Sequence, residues 1–181
     1  MTTEELWFLF PIELKEHNPL WAEWYEEERS NLIECLGDMA IEIDHIGSTA
    51  VKGLTAKPIV DILLQVSESC DKRRLKSTLS DNGWILMYDD ISQGIHLGWN
   101  KGYTINGFAD RIYHLHVRSV GDWEELHFRD YLRSSQKAVK EYESIKRELA
   151  LRYRNNRDAY TEAKGDFIRA CVREERESHE V

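Results

Sequence analysis

The segment that decides the fold is HIGSTAVKGLTAKPIVDI, which spans residues 45–62. Alternating, isoleucine-rich residues over 40–46 predict a strand that ends at Gly47. A loop of small residues follows, and an apolar run over 58–66 predicts a second strand that carries one carboxylate, Asp61. Glycine lets backbone N–H groups approach phosphate closely, and aspartate offers the hard oxygen ligands that Mg²⁺ prefers. The segment therefore predicts a phosphate site and a metal site that lie close together.

Asp61 is the predicted catalytic residue and metal ligand. A carboxylate in an apolar strand is costly unless it is paired or bound to a cation. The structural alternative is that it pairs with Lys57 or caps a nearby loop. Gly47, Ser48 and Thr49 are the predicted phosphate-binding residues, because glycine allows a tight turn and a hydroxyl and an amide can then reach a phosphate. A Gly-Ser pair taken alone is more often an ordinary turn, so its position before the strand acid carries the prediction.

Three histidines are candidates to complete the metal site. His114 and His116 alternate with apolar residues in a strand predicted over 111–118, so they share one face of it. His45 lies two residues before Gly47. Imidazole ligands suit Mn²⁺, Zn²⁺ or Fe²⁺ better than Mg²⁺. The alternative is that each histidine is hydrogen-bonded within the sheet or contacts a phosphate directly.

Several cationic side chains are predicted to bind phosphate. Lys57 would act as a point charge at the start of the second strand. Arg129 and Arg133 are four residues apart, so they share a helix face, and their guanidinium groups suit bidentate phosphate binding. Tyr160 and Lys164 have the same spacing, and we expect Tyr160 to stack on a nucleobase while Lys164 reaches a phosphate. The alternative for each pair is an ordinary solvated helix surface with ion pairs.

The remaining pattern predicts an α/β protein with a small mixed β-sheet, flanking helices and a helical C-terminal third over 122–177. A helix is predicted to begin at Asn18 with proline next to it and to end at Gly37. Residues 100–102, which are Asn-Lys-Gly, predict a turn between two strands. Further strands are predicted over 84–88, 95–99, 103–108 and 111–118.

Length and composition limit the class of protein. A chain of 181 residues suits one domain that spans residues 1–181. No apolar run reaches the roughly 20 residues of a membrane helix, and the N-terminus lacks the pattern of a signal peptide. A net charge of −9 disfavours nonspecific binding to nucleic acid. Three widely spaced cysteines fit a reducing environment, which predicts a cytoplasmic location.

Several of these motifs resemble the GrpB family, a branch of the nucleotidyltransferase superfamily. In residues 45–61, a Gly-Ser pair is followed after twelve residues by a strand acid, as in the superfamily motif. Four more segments resemble the family: NPLW at 18–21, HLHV at 114–117, FRDYLR at 128–133 and AYTEAK at 159–164. The resemblance covers residues 14–173. It implies a nucleotidyltransferase-like fold that binds a nucleoside triphosphate and a divalent metal, Mg²⁺ or Mn²⁺ with Zn²⁺ as a further option. It also implies transfer of a nucleotidyl group to an acceptor hydroxyl.

Leu63 departs from the superfamily pattern, which places a second acid two residues after the first. Residues two apart in a strand share a face, so Leu63 stands where a second carboxylate would lie beside Asp61. A two-metal mechanism needs several carboxylates around ions about 3.5–4 Å apart. Two other functions therefore stay open. One is a non-catalytic module that binds a nucleotide or another phosphorylated metabolite, and the other is a metal-dependent enzyme of a different class built on the histidines and Asp61.

Overall fold

A mixed β-sheet forms the centre of the computed structural model, which describes residues 10–90, 92 and 94–179. Its strands are β1 (Glu42–Ile46), β2 (Val60–Val66), β3 (Ile85–Asp89), β4 (His96–Thr104) and β5 (Gly107–Ser119). Their order across the sheet is β1-β2-β5-β4-β3. Strands β2 and β5 run parallel, whereas the other neighbouring pairs are antiparallel. The predicted α/β class with a small mixed sheet is confirmed.

The helices flank this sheet and fill the C-terminal third. They are α1 (Leu20–Leu36), α2 (Lys72–Asp81), α3 (Glu124–Ser134), α4 (Gln136–Arg152), α5 (Arg157–Ala163) and α6 (Gly165–His179). The first helix begins and ends as predicted: Asn18 Oδ1 accepts the Leu20 N–H at 3.1 Å, and Gly37 ends the helix with a φ of +55°. Within the described residues, every helix is too short or too polar to span a lipid bilayer.

The two faces of β2 have different surroundings. Val60, Ile62 and Leu64 are fully buried and join the large core that packs the sheet against α1 and α2. Successive side chains of a strand point to opposite faces, so Asp61 and Leu63 lie on the other side of the sheet. That side faces the C-terminal helices. The single acid of the strand is therefore held between the sheet and the helical third.

The C-terminal helices have an apolar core of their own that includes the loop after β1. Val51 and Leu54 of this loop are buried with side chains from α3, α4 and α6. The members of this core on the helices are Phe128, Leu132, Ala138, Val139, Tyr142, Cys171 and Val172. Because these loop residues are buried among the helices, the segment around Gly47 packs against the helices. The polar side chains of the helices therefore lie over the sheet.

The connection between β4 and β5 differs from the prediction. Strand β4 continues through residues 100–102, and the chain turns at 105–106. Gly102 has a φ of +89°, and the pairing register shifts at this point. A Cβ at Gly102 would lie 2.2 Å from the carbonyl oxygen of Arg111. The glycine therefore serves a bulge inside the strand, where its conformational freedom is needed as much as in a turn.

Candidate functional site

Asp61 lines a cavity of about 1010 Å³ between the sheet and the C-terminal helices. In the sheet it lies opposite Ile46 of β1 and beside His114 of β5. The loop that begins at Gly47 forms one wall of the cavity, and side chains from α4 to α6 form another. The strand acid and the glycine loop thus lie together, as the sequence predicts.

Two histidines hold the Asp61 carboxylate. His114 Nδ1 lies 3.2 Å and His116 Nε2 lies 3.6 Å from Asp61 Oδ1. Burial raises the pKa of Asp61, but the hydrogen bond from His114 and the nearby imidazole of His116 outweigh it and hold the pKa below its usual range. In the part of the chain that the structure describes, no lysine or arginine forms an ion pair with Asp61. The structural alternative of a Lys57 pair is therefore not observed, and Asp61 is an anion at neutral pH.

His114 also joins a hydrogen-bonded chain that leads to α5. Its Nε2 lies 2.7 Å from the Tyr103 hydroxyl, and Arg157 Nη2 donates to that hydroxyl at 3.2 Å. Burial lowers the pKa of His114, so the ring is neutral at pH 7. A neutral ring that donates from Nδ1 to Asp61 accepts at Nε2 from the Tyr103 O–H, and this assigns the tautomer. Both ring nitrogens are used, which makes His114 a positioning residue for Asp61.

His45 lies away from this group. It is opposite Ile62 in the pairing of β1 with β2, so its side chain points to the core face of the sheet. There it stacks on Tyr25, with 4.7 Å between ring centroids, and its Nε2 lies 2.9 Å from Thr49 Oγ1. Burial lowers the pKa of His45 to about 4. The structure therefore corrects the expected metal-ligand role of His45, because the imidazole is a buried, neutral part of the core.

The donors around Asp61 do not fit a metal centre of the kind predicted. Among the described residues, no group of three or more His, Cys, Asp or Glu side chains is arranged to hold a metal ion. Leu63 is fully buried at the position of the missing second acid. Asp44, which lies opposite Leu63 on β1, is bound by Arg129 at 2.9 Å. A pair of hard divalent ions needs more free carboxylate oxygens than this face provides.

Gly47 is required where the loop meets Asp61. Its φ is +71°, in the region that favours glycine. A Cβ at this position would lie 2.7 Å from Asp61 Oδ2 and 3.2 Å from Asp61 Cγ. The loop backbone therefore lies directly against the carboxylate, with no room for a side chain.

We expect Gly47→Ala to lose about 1–3 kcal/mol of unfolding free energy, because the added methyl group strains the backbone and displaces the carboxylate. Gly53→Ala is the matched control, since Gly53 has a φ of +81° but no atom within 4 Å of the place that a methyl group would take. Urea unfolding of both variants separates the cost of backbone strain, which both share, from the cost of contact with Asp61, which applies to Gly47→Ala alone. An equal loss in both would show that contact with Asp61 adds nothing to the backbone strain.

Ser48 and Thr49 have different surroundings in the loop. Ser48 Oγ lines the cavity and accepts a hydrogen bond from Lys146 Nζ at 3.1 Å. The Thr49 hydroxyl is buried and donates to the Ile59 carbonyl oxygen at 3.2 Å. Ser48 is therefore available to a ligand in the cavity, whereas the Thr49 side chain is part of the structural support.

Three lysines gather around the cavity. Burial and the charges of Lys164 and Arg157 lower the pKa of Lys57 to about 7. Burial and the charge of Lys164 likewise lower the pKa of Lys146 to about 7, and burial lowers that of Lys164 to about 8. Within the described residues, none of the three lysines forms an ion pair with a carboxylate. Among the described residues, Asp61 is the acid that raises the pKa of Lys57 and of Lys164, so three lysines share one acid at this end of the cavity.

Tyr160 supports two of these lysines and is not exposed enough to stack on a base. Only 1% of the residue is exposed. Lys57 Nζ lies 5.4 Å and Lys164 Nζ lies 4.4 Å from the centre of its ring. The aromatic face stabilises the ammonium groups. The structure thus assigns Tyr160 a packing role in place of the expected stacking role.

Arg129 and Arg133 do not line the cavity. Arg129 binds Asp44 at 2.9 Å and Asp130 at 2.8 Å. Arg133 donates from Nε and Nη2 to the Ala50 carbonyl oxygen at 3.1 and 3.0 Å. Arg129 therefore holds β1 in place, and Arg133 holds the turn that follows Gly47. Their expected phosphate-binding role is corrected to a positioning role.

Lys146, Arg157 and Tyr103 line or support the cavity but were not among the residues expected from the sequence. Lys146 carries a signal, because it lies four residues after Tyr142 and three before Leu149 on the apolar stripe of α4. A lysine on that stripe is 2% exposed and is unusual enough to suggest a role. The local sequence holds no comparable signal for Arg157 or Tyr103.

Comparison with known proteins supports the resemblance found in the sequence. The family model described as GrpB protein matches residues 11–174. The glutamate-rich protein GrpB of Alkalihalophilus pseudofirmus is 33% identical over 161 residues, which are 87% of this chain and 92% of that protein. The crystal structure of the conserved protein GrpB from Enterococcus faecalis has a TM-score of 0.80 at 28% identity, and the match covers 93% of this chain and 100% of that chain.

The fold is also similar to that of proteins with much lower sequence identity. A crystal structure of the Cid1 poly(U) polymerase bound to MgATP has a TM-score of 0.53 at 14% identity, over 83% of this chain and 47% of that chain. At that level of identity the similarity is one of fold, and it places the described structure among nucleotidyltransferase-like folds. The family model accounts for most of the sequence, and the chain belongs to the GrpB family.

Proposed function

We propose that the cavity binds the phosphate groups of a nucleoside triphosphate or of another phosphorylated small molecule. The observation that carries this proposal is the group of three lysines, Lys57, Lys146 and Lys164, which lie around one carboxylate without ion pairs of their own in the described residues. Buried charges are costly unless they are compensated. A ligand with several negative charges would supply the compensation that the protein itself lacks.

The size of the cavity and the fold favour a nucleotide among phosphorylated ligands. Small-molecule sites usually have volumes of about 300–1,000 Å³, and this cavity has about 1010 Å³. Ser48 lies beside the lysines at the start of the glycine loop, where a phosphate oxygen could accept from its hydroxyl. The related fold of Cid1 carries MgATP. A cytoplasmic location is consistent with such a ligand and stays a prediction.

Transfer of the nucleotidyl group to an acceptor hydroxyl is the catalytic form of this proposal. Its support is the position of Asp61, which lies against the glycine loop in a nucleotidyltransferase-like fold. The buried Leu63 and the two histidines on Asp61 favour a module that binds the nucleotide without transferring it. A metal-dependent enzyme built on three histidines has less support, because His45 lies on the core face.

Thermal unfolding in the presence of each of the four nucleoside triphosphates tests the binding proposal. A ligand at one hundred times its Kd stabilises the folded state by about 2.7 kcal/mol, which raises the Tm of a domain of this size by about 5–10 °C. We expect such a shift for at least one nucleotide, and a smaller shift for the corresponding monophosphate, because fewer charges face the lysines. The measurement is a melting curve with and without Mg²⁺.

Two variants serve as controls, one for the specificity of binding and one for catalysis. Lys140→Met removes an exposed lysine from the same helix as Lys146 and should leave the ligand shift unchanged. Release of pyrophosphate that disappears in Asp61→Asn would support transfer, whereas binding without pyrophosphate release would support the binding module. If no nucleotide changes the Tm with or without Mg²⁺, the nucleotide form of the proposed function is wrong.

A further inference from the structure

The nucleotidyltransferase fold implies divalent cations, but the face of the sheet around Asp61 has too few carboxylates to hold them. Asp61 Oδ1 lies next to both imidazoles, and Asp61 Oδ2 lies where it would be 2.7 Å from a Cβ at Gly47. The neighbouring face position is Leu63, and the next acid on that face, Asp44, is bound by Arg129. Of these two acids, this face of the sheet therefore offers one carboxylate that no arginine binds, and the described residues hold no group of three metal-ligating side chains.

The positive charge that a metal ion would bring can be supplied by three lysines, whose ammonium forms a bound phosphate favours. Lys146 Nζ donates to Ser48 Oγ at 3.1 Å and to the Thr55 carbonyl oxygen, which holds it at the start of the glycine loop. Lys57 and Lys164 are held over the ring of Tyr160. These contacts are with neutral groups, so they fix the positions of the ammonium groups and leave their charge uncompensated.

Resting on the proposed function, we infer that Lys57, Lys146 and Lys164 neutralise the phosphate groups of the ligand in place of a divalent cation. The ligand is then a free polyphosphate or nucleotide anion, and binding needs no metal. Lysine binds phosphate as a point charge, and three lysines around one site can match the charge of a triphosphate. The lowered pKa values of these lysines show that their charged forms are disfavoured in the free protein, which agrees with a site that a bound anion stabilises.

Calorimetric titration of the full chain with inorganic triphosphate, in EDTA and in saturating Mg²⁺, tests this inference. Triphosphate lacks a base and sugar, so it probes the lysines alone. We expect binding in EDTA, and an affinity about tenfold lower in Mg²⁺, which corresponds to about 1.4 kcal/mol. The reason is that Mg²⁺ binds triphosphate and reduces the negative charge that attracts the lysines.

Variants show whether the lysines are responsible. Lys57→Met should weaken binding in EDTA, whereas Lys57→Arg, which keeps the charge, should restore most of it. Lys140→Met should bind as the unaltered protein does, and circular dichroism checks that each variant is folded. Binding in EDTA that is equally strong in Lys57→Met and Lys146→Met would overturn the inference.

The same titration distinguishes this inference from the proposed function. Triphosphate binding that occurs in Mg²⁺ and is lost in EDTA would contradict the metal-free site but leave the proposed function standing. Absence of binding by triphosphate and by every nucleoside triphosphate under both conditions would contradict both.

Discussion

A Lys164→Met variant is expected to bind nucleoside triphosphate about 10- to 100-fold more weakly, because a contact with a charged group contributes about 1.5–3 kcal/mol. Without ligand, the same variant is expected to unfold at a higher temperature than the unaltered protein. Burial lowers the pKa of Lys164 to about 8, which means that the folded state disfavours its charge. Methionine keeps much of the length and removes the charge. Titration calorimetry measures the first effect and a melting curve measures the second.

Opposite changes in affinity and stability are the signature of a binding residue. A purely structural lysine would lose stability on replacement, and binding would change only through the loss of folded protein. Lys164→Arg keeps the charge and should keep most of the affinity, while Lys140→Met removes an exposed charge and should change neither quantity. A Lys164→Met protein that melts at a lower temperature and binds normally would show that Lys164 serves the fold alone.

Ligand binding at about pH 8.5 is expected to take up roughly one to three protons per molecule of triphosphate. The pKa values of Lys57 and Lys146 are about 7 and that of Lys164 is about 8, so all three are largely neutral at this pH in the free protein. Bound phosphate favours the charged forms and raises these pKa values. Affinity should therefore fall as the pH rises from about 7 toward the unperturbed lysine value of about 10.4.

Calorimetry in two buffers of different ionisation enthalpy measures the proton uptake. The pH dependence of the unfolding free energy of the free protein provides a second test. Because the unfolded chain binds more protons than the folded chain between the lowered and the ordinary pKa values, these lysines make the unfolding free energy rise with pH across that window. Lys164→Met should reduce the number of protons taken up. Binding that releases protons, or that is independent of pH from about 7 to about 10, would contradict a lysine-based site.

The position of Asp61 beside a glycine loop was predictable because it depends on short-range patterns. Alternation along β2 places apolar residues in the core and the single acid on the other face. Gly47 ends the preceding strand, and antiparallel pairing then brings it next to Asp61. The same alternation identified Leu63 as the residue that replaces a second acid. His114 and His116 followed from their spacing in β5.

The helices were predictable in extent, but the roles of their charged residues were not. The sequence predicts a phosphate-binding role for Arg129 and none for Lys146. In the structure, Arg129 pairs with Asp44, which is 85 residues away, whereas Lys146 meets the hydroxyl of Ser48, which is 98 residues away. Arg129 is therefore paired inside the protein, whereas Lys146 forms no ion pair within the described residues and faces the cavity. Spacing within a helix contains no information about such distant partners.

Local sequence therefore established the strand, loop and strand around residues 45–62, the face that carries Asp61, and the family to which the chain belongs. Tertiary packing alone revealed that His45 faces the core, that Arg129 and Arg133 are occupied, and that three lysines surround the cavity. The physical reason is how far apart in the sequence the interacting residues lie. Backbone conformation and burial follow from neighbouring residues, whereas compensation of a charge depends on groups that meet only when the chain has folded.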